Sequence, residues 1–360
     1  MADNRKNVLL VVRPAEGGIR QHVLLLARGL AERGWAVGIA ANRQFLRELP
    51  TDLRVEQSEV VVAPRFAASD LSAATRIRRL AQGFDVVHAH GLRAAWVCAL
   101  APLRAPLIVT AHNIVPGGRL TRAAISCIDR RAARWAGVSG AIRNGLVECG
   151  IPLERIDLIP NGIDLSRYEA LPERHTARLA LGVEPAAVCV GYVGRLSPEK
   201  GVDVLLRVAS RLPKTIFLVA GDGPSREALS AGAPANVRFL GRIEDPRLIY
   251  AAADVVAIPS RSEGQGIVAV EALAAGAPVV ASRVGGLAEM LADGRTALLV
   301  PSDDADALAA AITRIDADIP LRQDLIRSGR RAAAGYDVGV MVDRTIGAYE
   351  RATVSALTNG

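Results

Sequence analysis

The stretch SRSEGQGIVAVEALAAGAPVV (260–280) carries two carboxylates eight positions apart, Glu263 and Glu271, with Gly264 and Gly266 between them. The hydropathy pattern puts Glu263 on a loop after an apolar strand and Glu271 two turns into the following helix. Glycines leave the N–H groups of that helix start unobstructed, at the positive end of its dipole. A carboxylate at the mouth, bare amides beside it and a second carboxylate along the helix suit a ligand with hydroxyls at both ends and phosphate between. The competing structural reading makes Glu263 a cap and Glu271 a surface charge. Val268, Val270, Leu273 and Ala274 around Glu271 argue for a buried helix instead.

A second group of residues points to the same anionic chemistry. In GRLSPEKG (194–201), Arg195 ends a strand and Lys200 begins a helix, five residues on, across a turn containing Pro198. Both cations can converge on one polyanion, Arg as a planar fork and Lys as a point charge. Near the N-terminus, PAEGGIRQH opens a helix with Gly17 and Gly18, a start that receives an anion or makes a tight turn. No GxGxxG or GxxxxGK[ST] spacing occurs, which excludes a dinucleotide fingerprint and a P-loop. His88 and His90 share one strand face as an HxH pair, but no third ligand is apparent in the sequence, so both are expected to pack at a cleft wall. His22 is expected to line that cleft, and His175 to lie on linker surface. Two DxD matches, Asp304–Asp306 and Asp316–Asp318, fall on late helical segments and are read as surface charge.

The elements that must hold these residues alternate along the whole chain. VLLVVR (8–13), WAVGIAA (35–41), DVVHAH (85–90), LIVTAH (107–112) and WAGVS (135–139) read as strands, with amphipathic helices such as 19–34 between them. VCVGYVGR (188–195), TIFLVAG (215–221), VRFLG (237–241), DVVAIPS (254–260), APVVAS (277–282) and ALLV (297–300) repeat the pattern. Apolar strands separated by helices mean parallel sheets covered on both faces. The expected fold is therefore α/β, with two doubly wound domains spanning 1–168 and 169–360, the second closed by a helix over 336–352. Ligands of such sheets bind beyond the carboxyl ends of the strands, where the marked residues fall, so an interdomain cleft is expected.

Composition narrows the partners. Residues 1–170 hold 23 Lys and Arg against 15 Asp and Glu, whereas residues 171–360 hold 21 against 22. A basic half beside a near-neutral one suits an anionic partner. Only 13 residues are aromatic and no basic run interleaves with them, which argues against nucleic acid. Cys98, Cys127, Cys149 and Cys189 form no CxxC pair, so neither a zinc ribbon nor a disulfide framework is expected. The opening apolar run is five residues long and no uncharged apolar stretch reaches 18, so the expected location is cytoplasmic.

With these pieces in order, the chain resembles a family 4 retaining glycosyltransferase of the GT-B fold over essentially its whole length. GGIRQH, DVVHAH, TAHN, IPNGID, GRLSPEKG, GDGP, FLGR and EGQGIVAVEALAAGAPVVAS carry the resemblance. It implies transfer of a sugar from a nucleotide-sugar with retained anomeric configuration, the donor on the C-terminal domain and a glycan or lipid-linked acceptor on the N-terminal one. Arg195 and Lys200 match the family's diphosphate clamp, Glu271 the carboxylate on the donor ribose, and Glu263 the one near the reacting carbon. Gly266 and Ile267 match amides toward the diphosphate and sugar, Ile243 the backbone that reads the base, and Gly18 the loop closing over the phosphates. His112 matches the histidine that contacts the donor sugar and supports catalysis. Where the family often has an aromatic, this chain has Gln265, a polar side chain able to face the sugar and alter donor choice. No cofactor and no metal ion are expected, because the two cations supply the charge a metal would. A sugar-nucleotide epimerase or hydrolase on the same fold, and a non-catalytic sugar-nucleotide or glycan binder, remain as alternatives. Segment 118–135, with Arg119, Arg122, Arg130 and Arg134, is read either as an ordinary helix on the sheet or as an interfacial helix for an anionic membrane.

Overall fold

The computed structural model describes residues 6–14, 17–243 and 245–358, the last four as backbone only. Its contacts divide the chain into two compact units, one of residues up to Gly162 together with those from Val338, the other Ile163–Asp337.

Among the described residues, the first unit holds a seven-stranded sheet: β1 (Asn7–Val12), β2 (Ala36–Ala41), β3 (Glu56–Glu59), β4 (Val86–His90), β5 (Leu107–Ala111), β6 (Ala132–Gly137) and β7 (Ile156–Leu158). They run parallel in the order β3-β2-β1-β4-β5-β6-β7, so the direction of winding reverses between β1 and β4. Both faces are covered. Along β1, Leu9 and Val11 enter one core, while Val8, Leu10 and Val12 enter the other. That is why these strands read as unbroken apolar runs rather than as alternation. The edge strands β3 (EQSE) and β7 (IDL) are the exceptions: each pairs on one side only, and neither shows an apolar run in the sequence.

The second unit repeats the design with six strands: β8 (Cys189–Val193), β9 (Ile216–Ala220), β10 (Val237–Gly241), β11 (Val255–Ile258), β12 (Val279–Ser282) and β13 (Leu298–Val300). The order is β10-β9-β8-β11-β12-β13, again parallel, with its switch between β8 and β11.

Two expectations need correction. The boundary does not fall after residue 168, and the closing helix does not belong to the second domain. The chain enters and leaves the second unit side by side, with the Ile163 amide donating to the Tyr336 carbonyl at 2.9 Å. The last helix (Val338–Thr358) then returns to the first unit. Met341, Val342, Ala348, Tyr349 and Ala352 bury against Val23, Leu26 and Leu30 of the helix Gly18–Glu32. Gly29 makes room there, since a Cβ in its place would collide with Val342. Arg33 pairs with Asp343 at 2.7 Å and Arg351 with Asp157 at 2.9 Å.

Segment 118–135 is not one helix either. A helix covers Arg119–Asp129 and buries Ile125 and Ile128; Arg130 caps it, and β6 begins two residues later. Arg134 and Trp135 therefore point across a strand. Arg134 pairs with Asp157 at 2.8 Å, and Trp135 is fully buried with its indole N–H donating to Asp129. The four arginines share no helical face. Among the described residues no helix is long and apolar enough to cross a membrane.

Candidate functional site

In the second unit the marked residues gather where the sheet reverses. Arg195 follows β8, and Lys200 lies in the short turn before the helix Val202–Arg211. Gly201 caps that helix with φ 65°, and any side chain there would collide with the Pro259 carbonyl after β11. The two loops are tied further: the Arg261 amide donates to the Glu199 carbonyl at 2.8 Å, and the Arg261 guanidinium binds Asp203 and Asp303 at 2.7 and 2.6 Å. Those hydrogen bonds hold the Asp203 carboxyl below its ordinary range. Arg261 was not singled out in the sequence, where an Arg beside a catalytic-looking Glu carries no distinguishing spacing.

With the loops held, Lys200 and Glu263 meet. The ammonium is 2.5 Å from Oε1 of Glu263, which also accepts from Ser260 at 2.9 Å. Arg195 is exposed after β8, its carbonyl taking the Tyr192 hydroxyl at 2.9 Å, and its charge, like that of Lys200, is felt at Glu199. Gly266 starts the helix Ile267–Ala275 in the left-handed region, φ 88°, which turns the chain so that Ile267 opens the helix. Gly285 and Gly286 press against this loop so closely that a Cβ on either would meet the carbonyls of Glu263 and Gly264.

Glu271 is buried, as the apolar residues around it required, and accepts a hydrogen bond from the Tyr250 hydroxyl at 2.8 Å. Tyr168 also hydrogen-bonds it. Burial, followed by the nearby Glu271 charge, raises both phenols above their ordinary range. Neither tyrosine was foreseen, because each lies far along the chain from Glu271. Gln265 is buried rather than presented to solvent. Ile243 packs at the edge of a core with Val183, Leu218 and Ile249. The DxD aspartates cap and pair: Asp304 and Asp318 accept from Ala307 and Leu321 amides at 2.9 Å, and Asp306 binds Arg211 at 2.6 Å.

The first unit has its own cluster at the carboxyl ends of β4 and β5. Gly18 opens the first helix after Gly17, whose φ is 64°; residues 15 and 16 of that loop lie outside the described residues. One turn on, His22 is buried beside His112, ring centroids 4.7 Å apart. Nδ1 of His90 is 3.3 Å from Nε2 of His112. The sequence expectation that the HxH pair lacks a third ligand was therefore incomplete: His90 joins His22 and His112, whereas His88 turns to Tyr349 and Thr110, both at 2.7 Å. Burial lowers all four imidazoles, His22 to about 4 and His88 to about 3, His90 and His112 well below the ordinary value. They are neutral at pH 7.

The chain matches two family models, Glycosyltransferase Family 4 over residues 16–167 and Glycosyl transferases group 1 over 187–318. It is 33% identical over 332 residues to a D-inositol 3-phosphate glycosyltransferase of Mycobacterium sp. (strain KMS), covering 80% of this chain and 75% of that protein. A protein of the same description from Geodermatophilus obscurus is 31% identical over 401 residues, covering 93% and 85%. Among solved structures, Anabaena HepE in complex with UDP and glucose superposes with a TM-score of 0.85 over 94% of this chain and 98% of that one, at 24% identity.

Proposed function

Because the chain belongs to glycosyltransferase family 4 and has the GT-B fold, we propose that it transfers a sugar from a nucleoside-diphosphate sugar with retention, in cell-envelope glycolipid or polysaccharide assembly. The observation that carries this proposal is the pair of loops in the second unit. Lys200 and Glu263 are held together beside the start of the helix at Ile267, with Glu271 buried further along it.

As the glycosidic bond breaks, charge grows on the β-phosphate of the leaving group. Arg195, Lys200 and the helix-start amides at Gly266 and Ile267 stabilise that charge more in the transition state than before it. Glu263 is assigned to sugar hydroxyls near the reacting carbon, Glu271 to the ribose, the backbone at Ile243 to the base, Gly18 to the phosphates and Gln265 to donor choice. His112 is assigned to the sugar; neutral at pH 7, it can accept a proton or a hydrogen bond. No side chain is assigned as a nucleophile, and acceptor attack on the face of the leaving phosphate accounts for retention. The diphosphate then needs no divalent ion.

The excess of Arg in residues 1–170 supports an anionic acceptor. A lipid-linked glycan at the cytoplasmic membrane face fits that charge, with exposed Arg119, Leu120 and Arg122 available to touch the surface. A phosphorylated polyol fits it too, and is favoured by the description of the relatives, inositol 3-phosphate glycosyltransferases matched over most of their length.

A panel of UDP-, GDP- and ADP-sugars, followed by nucleoside diphosphate release, tests the proposal with lipid extract and with inositol 3-phosphate in parallel. Acceptor-dependent release in EDTA, and a product with the donor's anomeric configuration by NMR, is expected. An isomerised donor, free sugar without acceptor, or binding without turnover would each replace it by epimerase, hydrolase or binding protein. Loss of activity in EDTA, restored by manganese or magnesium, would remove the metal-free clamp.

A further inference from the structure

His22, His90 and His112 come from three separate elements, the first helix, the end of β4 and the residue after β5, and all three are buried. One nitrogen from each ring lies within 4.8 Å of the others. The His90–His112 separation of 3.3 Å, a hydrogen bond between the two rings as they stand, also matches the edge of a tetrahedral site, because two zinc–imidazole bonds of 2.0–2.1 Å hold their nitrogens about 3.4 Å apart. A cluster that served packing alone would have its rings bonded to hydroxyls or carbonyls, as His88 is by Tyr349 and Thr110. Beyond the Asn161 side chain, the His22 nitrogens have no hydrogen-bond partner, and Nε2 of His90 has none. Burial also keeps the rings neutral, the form that offers a lone pair to a metal.

We propose that His22, His90 and His112 bind one divalent transition-metal ion of the zinc class, and that its occupancy withdraws His112 from sugar transfer. The second clause rests on the role assigned to His112 above; the first does not. Three imidazoles and an open fourth position are the ligand set of an exchangeable zinc site. His88 packs against His90 with centroids 4.1 Å apart and ring planes tilted by 36°, and, fixed by its own two hydrogen bonds, it supports that ring. The positive charge of Arg13, felt at His112, opposes a bound cation and so weakens the site. Metal would then inhibit the enzyme, and chelator would sustain or raise its activity.

The full chain, freed of any purification tag and of metal, is titrated with Co²⁺ and then Zn²⁺. One equivalent of Co²⁺ with the visible absorption of tetrahedral cobalt, displaced by Zn²⁺, is expected. His22→Ala and His90→Gln should each weaken Zn²⁺ binding at least about tenfold, while His175→Ala, on the surface, leaves it unchanged. Circular dichroism checks the fold, and two variants guard against one failing to fold. Absent stoichiometric binding, or wild-type affinity in both cluster variants, overturns the site. Transfer activity read against the same Zn²⁺ titration should fall with the dissociation constant found spectroscopically. Binding without inhibition keeps the metal site and overturns the role given to His112.

Discussion

The Lys200 ammonium and the Glu263 carboxylate, 63 residues apart and on loops that follow different strands, lie 2.5 Å from each other. Under the proposed function each contacts a different part of the donor, and the pair would couple phosphate recognition to the sugar end. A phosphate reaching Lys200 competes with Glu263 for its protons. Lys200→Ala removes a charge-assisted contact worth roughly 1.5–3 kcal/mol, which corresponds to a kcat/KM loss of about 10- to 150-fold with the fold intact. Kinetics at subsaturating donor measure it, and unchanged values would take Lys200 out of the site.

Gly285 governs the same loop from behind. Its φ is 45°, and an added Cβ would collide with the Glu263 carbonyl. Gly285→Ala should therefore push Glu263 away from Lys200 and cost roughly 1–3 kcal/mol of stability. Both the melting temperature and kcat/KM should fall. Gly232→Ala, at a negative φ with open space around it, is the control and should change neither. A Gly285→Ala enzyme with wild-type melting and kinetics would show that the contact between the two loops is not needed.

What the sequence disclosed, and what it hid, follows from the range of the forces involved. Strands such as 8–12 and 255–258 are buried on both faces, so their hydropathy alone announced them. Glu271 could be read as buried because its own helix neighbours are apolar. Its tyrosine partners, Tyr168 and Tyr250, depend on how three distant segments pack, and no local pattern encodes that. The His22, His90 and His112 cluster was hidden for the same reason: it needs β4 and β5 adjacent with the first helix over them, whereas the visible HxH spacing pointed to His88. The last helix misled because its apolar stripe shows that it packs, not which unit it packs on.

Arg134 tests the correction to segment 118–135. Its guanidinium donates to Asp157 and to the Glu154 carbonyl, and Asp157 also receives Arg351 of the last helix. Arg134→Gln should then cost roughly 1.5–3 kcal/mol of stability, and exposed Arg131→Gln less than about 0.5 kcal/mol. Vesicle binding lost in a variant that includes Arg134 would reflect this pairing rather than membrane contact. Arg119→Gln with Arg122→Gln is the variant that reads the membrane surface. Equal melting temperatures for the Arg134→Gln and Arg131→Gln chains would overturn the structural role.

The buried histidines make the first unit sensitive to mild acid. Unfolded, each imidazole titrates near 6.5; folded, His22 is lowered to about 4 and His88 to about 3, with His90 and His112 well below the ordinary value. Below pH 6.5 the unfolded chain therefore binds protons that the folded chain refuses. The stability these groups contribute is fully present above pH 6.5 and is lost as the pH falls from there toward 4 for His22 and toward 3 for His88. Within that window each imidazole costs about 1.4 kcal/mol per pH unit. The depressed carboxyls of Asp203, Asp245 and Asp293 titrate lower, so they do not mask the effect at pH 5 to 7. Trp35, Trp96 and Trp135 all lie in the first unit, and tryptophan fluorescence therefore follows its unfolding alone. The urea midpoint should be level from pH 7.5 to 8.5 and drop steeply by pH 5.5, and His22→Gln should make that drop shallower. An equal midpoint at pH 7.5 and 5.5 would mean that the imidazoles take up protons in the folded state, and that the cluster is open to water.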